Sequence, residues 1–203
     1  MTVITLIEFV AVIVAAIYGV LLAARKEMDV TGVFAVSFAV SFGGGTLRDL
    51  FLDRSPLFWI ANPHYVVIVF VIAMAAGVVL RFVPRIKPLL VYPDALGMAL
   101  FTMAGTGMAL DQETGWVIAA IMGTITGTFG GVVGEIICNE VPTLFRPAPL
   151  NATCSFAGAW LFLILCHFDI SRDISMMIGV VFILVFRILA VRKKWSLPPV
   201  REG

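Results

Sequence analysis

The chain has 203 residues, of which 61% are hydrophobic and 13% charged, and its formal net charge is +1. Soluble domains carry about a quarter of charged residues, so this composition excludes a water-soluble protein and predicts an integral membrane protein. The near-zero net charge points to no partner, and no nucleic-acid surface, soluble domain or nucleotide loop is expected.

Hydropathy predicts seven spans, at approximately 3–24, 31–53, 63–81, 89–110, 115–138, 148–168 and 174–191, each near the length of about 20 residues that a bilayer core requires. The first begins almost at Met1, lacks a basic leader and carries Glu8, which reads as a retained helix and not as a cleaved signal. The second carries Gly43, Gly44 and Gly45 just ahead of Arg48 and Asp49. Glycine is a poor helix former, so this run is expected to break the helix and leave backbone groups for water or protein to satisfy. Connections carry breaker residues, among them Met28-Asp29, Asn62-Pro63, Pro84 with Pro88, and Pro147 with Pro149. Nothing is left for a second domain, so residues 1–203 read as one membrane domain.

Basic residues set the expected orientation, because insertion keeps short Lys/Arg-rich loops in the cytoplasm. Arg25, Lys26, Arg81, Arg85, Lys87, Arg146, Arg192, Lys193, Lys194 and Arg201 fall on one side, against Arg54 and Arg172 on the other. The N-terminus is therefore expected outside the cell inner membrane and the C-terminus in the cytoplasm. The basic loops also suit anionic lipid headgroups, although the topology rule accounts for them without a ligand.

Shifting the chain by 86 positions brings Gly44, Gly45, Asp49 and Pro56 onto Gly130, Gly131, Glu135 and Pro142, and Glu8 onto Asp94. This predicts two three-helix repeats, about 3–82 and 89–168, with a seventh helix at about 174–192 outside the duplication. Three helices is an odd number, so the second copy enters from the opposite side and the repeats are inverted, with the site where the middle helices face each other. Both middle helices are expected to break, at Gly43 to Gly45 and at Gly127, Gly130 and Gly131. Ser37, Ser41, Thr46, Thr124, Thr126 and Thr128 add hydroxyls around the breaks, giving a polar path with little formal charge. Small residues also let membrane helices pack closely, and for any single position that reading stands beside the path.

Arg48 reads as a pore or gate charge and as a plug neutralised by Asp49, Glu135 or carbonyls from the other break. Asp49 and Glu135 either offset Arg48 or meet a permeating cation. Glu8 and Asp94, one in each first helix, read as interhelical hydrogen-bonding groups or supporting substrate contacts. Arg187, near the end of the last helix, is expected to snorkel to the headgroups, so that Arg48→Ala alters permeation far more than Arg187→Ala does. Cys138, Cys154 and Cys166 fit no metal-ligand spacing and His64 and His167 lie far apart, so no metal or cofactor is expected. With no companion nucleophile, Asp49 and Glu135 do not read as a catalytic pair, and no enzyme is expected.

The segments GGGTLRDL, PLFWIANPHY, VYPDALGMALF and GTFGGVVGEIICNEVPTLF resemble the bacterial small-membrane-protein family of glycine transporters and its structural relatives, the trimeric intracellular cation channels (TRIC). The resemblance runs over roughly residues 4 to 192. It implies an all-α membrane protein of seven helices, two inverted repeats with kinked middle helices, and a homotrimer with one pore per protomer. The first motif matches at Gly43, Gly44, Gly45, Arg48 and Asp49. The second departs from the family pattern of a repeated Arg-Asp pair, with Phe129, Gly134 and Glu135 in those places. One pore arginine is missing, which leaves Glu135 free to pair with Arg48 and makes the pore region less positive. Two functions follow as expectations: a potassium-permeable monovalent cation channel of the TRIC type, or a carrier for glycine or another small amino acid that uses Arg48 and Glu135 for the two ends of a zwitterion.

Overall fold

The structure, a computed structural model, describes residues 3–79 and 89–198. The expected end of the third span and the basic residues Arg81, Arg85, Lys87 and Arg201 lie outside the described residues. The described residues form helices α1 (Val3–Ala24), α2 (Val30–Phe51), α3 (Phe58–Ala61), α4 (His64–Val79), α5 (Val91–Asp111), α6 (Trp116–Ile137), α7 (Ala152–His167) and α8 (Arg172–Arg192). The predicted spans fall on α1, α2, α4, α5, α6, α7 and α8, and the sequence reading missed the single turn α3 and a 3-10 turn at Thr143–Phe145.

By length and composition α1, α2, α6 and α8 are apolar enough to cross a membrane, while α7 and the His64–Ala76 part of α4 are apolar but shorter. Helix α5 is less apolar for a physical reason. Its residues from Gly97 to Ala109 are all buried inside the protein, so small and polar groups there replace the lipid-facing side chains of the outer helices. Thr102 and Thr106 bond back to carbonyls one turn earlier, and Thr102 also shares a 2.6 Å hydrogen bond with Ser155 on α7.

Helices α1, α2, α5 and α6 form the centre, α4 packs on α1 and α2, and α7 and α8 pack on α5 and on each other. Ion pairs tie the ends together. Lys26 and Arg25 after α1 reach Glu140 after α6 at 2.9 and 3.6 Å, on what we call the basic face. Arg172 at the start of α8 grips Asp111 at the end of α5 with both terminal nitrogens, on the opposite face.

The expected helix breaks do not form: α2 and α6 are helical throughout, glycines included. The glycines serve close approach instead. A Cβ on Gly44 would collide with the Thr126 carbonyl oxygen, and one on Gly130 with the Val40 carbonyl oxygen. The two collisions are one contact seen twice, because 44 and 130, like 40 and 126, are 86 apart. Between helices that share a lipid solvent there is little hydrophobic drive to associate, so contact of this kind supplies the attraction. Positions 86 apart agree elsewhere too: Gly19 faces Ser37 and Gly105 faces Gly123, and left-handed residues end helices at Glu27 and Glu113 and again at Asp53 and Asn139.

Gly44→Ala and Gly130→Ala should each destabilise the protein by about 1–3 kcal/mol, the usual cost of overpacking. Gly131→Ala, whose Cβ meets nothing nearer than Tyr18 at 3.8 Å, should leave thermal unfolding in detergent unchanged.

Candidate functional site

Arg48 is fully buried at the opposite-face end of α2. Its Nε donates to Asp49 Oδ1 at 2.9 Å and its Nη1 to Glu8 Oε1 of α1 at 2.8 Å. The guanidinium lies 5.1 Å from the centroid of the Phe58 ring, and Gly45 leaves the space that this ring fills. Asp49 also accepts the Phe58 backbone N–H at 2.7 Å through its second oxygen. One carboxylate thus holds the arginine and starts α3. Arg54 stands 3.9 Å from Asp49 Oδ1, so two arginines face two carboxylates.

Glu135 takes no part in this cluster. It accepts the Thr143 N–H at 2.7 Å and the Thr143 hydroxyl at 3.3 Å, starting the 3-10 turn much as Asp49 starts α3. The expected pairing of Glu135 with Arg48 fails because α2 and α6 run antiparallel across the Gly44–Gly130 crossing. Asp49 lies five residues beyond it in one direction and Glu135 five in the other, which at 1.5 Å per residue separates them by about 15 Å.

The partner of Asp94 is Arg187, whose Nη2 donates to Asp94 Oδ2 at 3.0 Å while Nη1 donates to the carbonyls of Pro149 and Leu150 at 2.8 Å each. Arg187 is 6% exposed, so the expected snorkelling is corrected: three oxygens within reach draw the guanidinium inward. Sequence reasoning missed this pair, although a charge inside an apolar helix was signal enough.

Two cavities lie toward the two faces. A cleft of about 530 Å³ on the opposite face is lined by Glu8, Arg54, Asp111, Arg172 and Asp173 among others. A much smaller space of about 30 Å³ lies toward the basic face between α1, α2, α5 and α6, bordered by Tyr18, Asp94, Thr126, Thr128, Gly127, Gly130, Gly131 and Asn151. It holds little more than one water-sized occupant. The expected hydroxyl path forms only in part. Thr126 and Thr128 border the small space but donate to carbonyls of their own helix, and Ser37 and Ser41 sit in the α1–α2 contact, where Ser41 reaches Val12 O at 3.4 Å.

The family described as "Glycine transporter" matches residues 5–81 and, a second time, residues 91–167. The chain belongs to this family. The two matches begin 86 positions apart, at 5 and 91, the offset that relates the paired contacts. Among relatives of the glycine-transporter family chain, the UPF0126 inner membrane protein YadS of Escherichia coli (strain K12) is 34% identical over 194 residues, which cover 95% of this chain and 93% of that one. The solved TRIC trimeric intracellular cation channel orthologue from Rhodobacter sphaeroides superposes with a TM-score of 0.90 at 31% identity, over 96% of this chain and 100% of that one. A structure solved to explain conductance through TRIC cation channels gives a TM-score of 0.86 at 28% identity, covering 98% of each chain. With its apolar helices, this makes the chain a multi-pass membrane protein of the same all-helical fold.

Arg48→Ala leaves Glu8 as a buried charge without its partner and Asp49 with only Arg54 at 3.9 Å, a loss of about 3–5 kcal/mol for such a buried pair. Denaturant unfolding in detergent should show that loss, and adding Glu8→Gln to Arg48→Ala should recover part of it.

Proposed function

We propose that the protein is a potassium-permeable monovalent cation channel of the bacterial inner membrane, assembled as a homotrimer with one pore per protomer. Each protomer is read as a single domain of two inverted three-helix repeats, about 3–82 and 89–168, with α8 as the seventh spanning helix. The N-terminus is read as outside and the basic face as cytoplasmic. The observation that carries the reading is a pair of cavities toward the two faces, a cleft lined by Glu8 and a small space at the Gly44–Gly130 crossing, with the neutralised Arg48 bonded to Glu8. Such a pathway offers a cation carboxylate oxygens at each end, from Glu8 and Asp94, without a net positive barrier. Similarity to solved TRIC cation channels over nearly the whole chain supports the same function.

Carriage of glycine is the second reading, favoured by the mixed charge of the 530 Å³ cleft, where Glu8 and Asp173 stand with Arg54 and Arg172. The particular site it called for, Arg48 beside Glu135, does not assemble. Potassium flux into vesicles holding the purified protein separates the two readings: a channel gives flux that follows the potassium gradient and is indifferent to glycine, whereas a carrier gives saturable glycine uptake and no potassium flux.

Removing one elementary charge at a low-dielectric constriction changes the barrier by more than 1.4 kcal/mol, or about tenfold in rate. Potassium flux should therefore rise about tenfold in Arg48→Gln and fall about tenfold in Glu8→Gln. Changes of the same sign in both variants would reflect lost stability alone and would remove Arg48 from the pathway.

A further inference from the structure

The internal repeat leaves one place unfilled. Position 134, which lies 86 past Arg48, is a glycine, and the Val40 side chain of α2 packs where its Cβ would stand. Asp94, the second-repeat counterpart of Glu8, would then have no arginine from its own repeat. It is paired all the same, by Arg187 from α8, the helix outside the duplication. Both first-helix carboxylates are thus held by an arginine, Glu8 toward the opposite face and Asp94 toward the basic face.

The surroundings of Asp94 suit a cation. Its side chain is 19% exposed and borders the 30 Å³ space together with Tyr18, Thr128 and Asn151. The side-chain oxygen of Asn151 is buried and has no hydrogen-bond partner among the described residues. A neutral oxygen without a donor beside a carboxylate is what a partly dehydrated monovalent cation needs, and the space admits only about one such occupant. Arg187 already supplies a positive charge there. It is anchored on the carbonyls of Pro149 and Leu150, and its Nε is buried without a partner.

We propose that Arg187 closes the pathway at the basic face, in place of the arginine that the second repeat lacks, and that Asp94 with Asn151 binds the permeating monovalent cation when the guanidinium withdraws. The proposal rests on the channel reading above. Arg187 is a tethered cation in competition with the free one, so moving α8 relative to α5 and the α6–α7 connection exchanges one for the other. The pathway then has two arginine locks in series, one built into the repeat and one brought by the added helix.

The test is potassium flux into vesicles holding purified protein, with thermal unfolding of each variant measured alongside. Arg187→Met should raise flux about tenfold by removing the tethered cation. The double variant Asp94→Asn/Arg187→Met keeps no unpaired charge and should melt like the native protein, yet it should conduct about tenfold less than Arg187→Met because the binding carboxylate is gone. Arg192→Met, an exposed arginine on the same face, should change neither quantity. Folded Arg187→Met with native flux, or a double variant that conducts as well as Arg187→Met, overturns the proposal and leaves the channel reading standing. Absence of potassium flux in the native protein and in every variant overturns both. Should Arg187→Met not fold, Arg187→Lys keeps the charge but cannot span Asp94 and two carbonyls at once. It should conduct more than the native protein, and native flux in it would equally overturn the proposal.

Discussion

The contact between the backbones of α2 and α6 is the constraint on which the rest of the structure depends. Gly44 lies against the Thr126 carbonyl and Gly130 against the Val40 carbonyl, so any side chain at either glycine would push the helices apart. Helices surrounded by lipid gain little from hiding apolar surface, and attraction comes from van der Waals contact at close range. Fixing this crossing fixes the positions of everything five residues to either side. Asp49 is carried to one face and Glu135 to the other, and each accepts the first N–H of the short turn that follows. The small cavity is what remains between the central helices beside the crossing, and the larger cleft opens between α1, α5 and the start of α8 on the opposite face.

Charge inside such a structure must be held by charge. Arg48 has no exposed surface, and Glu8 and Asp49 close around its nitrogens at 2.8 to 2.9 Å. Breaking a buried pair costs more than the pair ever contributes, because the survivor stays in low dielectric without compensation. That makes the cluster of Arg48, Glu8 and Asp49 hard to open. Glu8 is the one member of the cluster carried by a different helix, and it lines the cleft, whereas Asp49 sits beside Arg48 on α2. Arg187 and Asp94 reproduce the arrangement near the other end with parts drawn from α8 and α5.

Much of this was legible in the residues, and the exceptions have physical causes. Each of the seven predicted segments falls on a helix and the 86-residue offset returns in the two family matches, because hydropathy marks long apolar segments and the spacing of glycines and acids marks the offset. The expected helix break does not form. Glycine weakens a helix in water, but α2 satisfies every turn through Gly43 to Gly45, and propensity yields to the gain from close packing. Pairing of Arg48 with Glu135 follows from the inverted repeats only if distance from the crossing is ignored: Arg48 lies four residues past Gly44 and Glu135 five past Gly130 in opposite directions, about 14 Å apart along the axis. Distance from the helix end points Arg187 at the headgroups, a one-dimensional measure blind to the carbonyls of Pro149 and Leu150 that fold back beside it. Tyr18 and Asn151 carried no local signal, since only the packing of α1 and the α6–α7 connection brings them to the small cavity.

A disulfide across the crossing tests the central claim, that the pathway runs along the contact of α2 with α6, most directly. A Cβ on Gly43 would stand 3.7 Å from Val133 Cβ, within the range of about 3.5–4.5 Å that a disulfide requires. In a variant with Cys138, Cys154 and Cys166 replaced by alanine, Gly43→Cys/Val133→Cys should cross-link under mild oxidation, and potassium flux should fall on oxidation and return on reduction. A cross-link that forms completely and leaves flux unchanged would contradict the account.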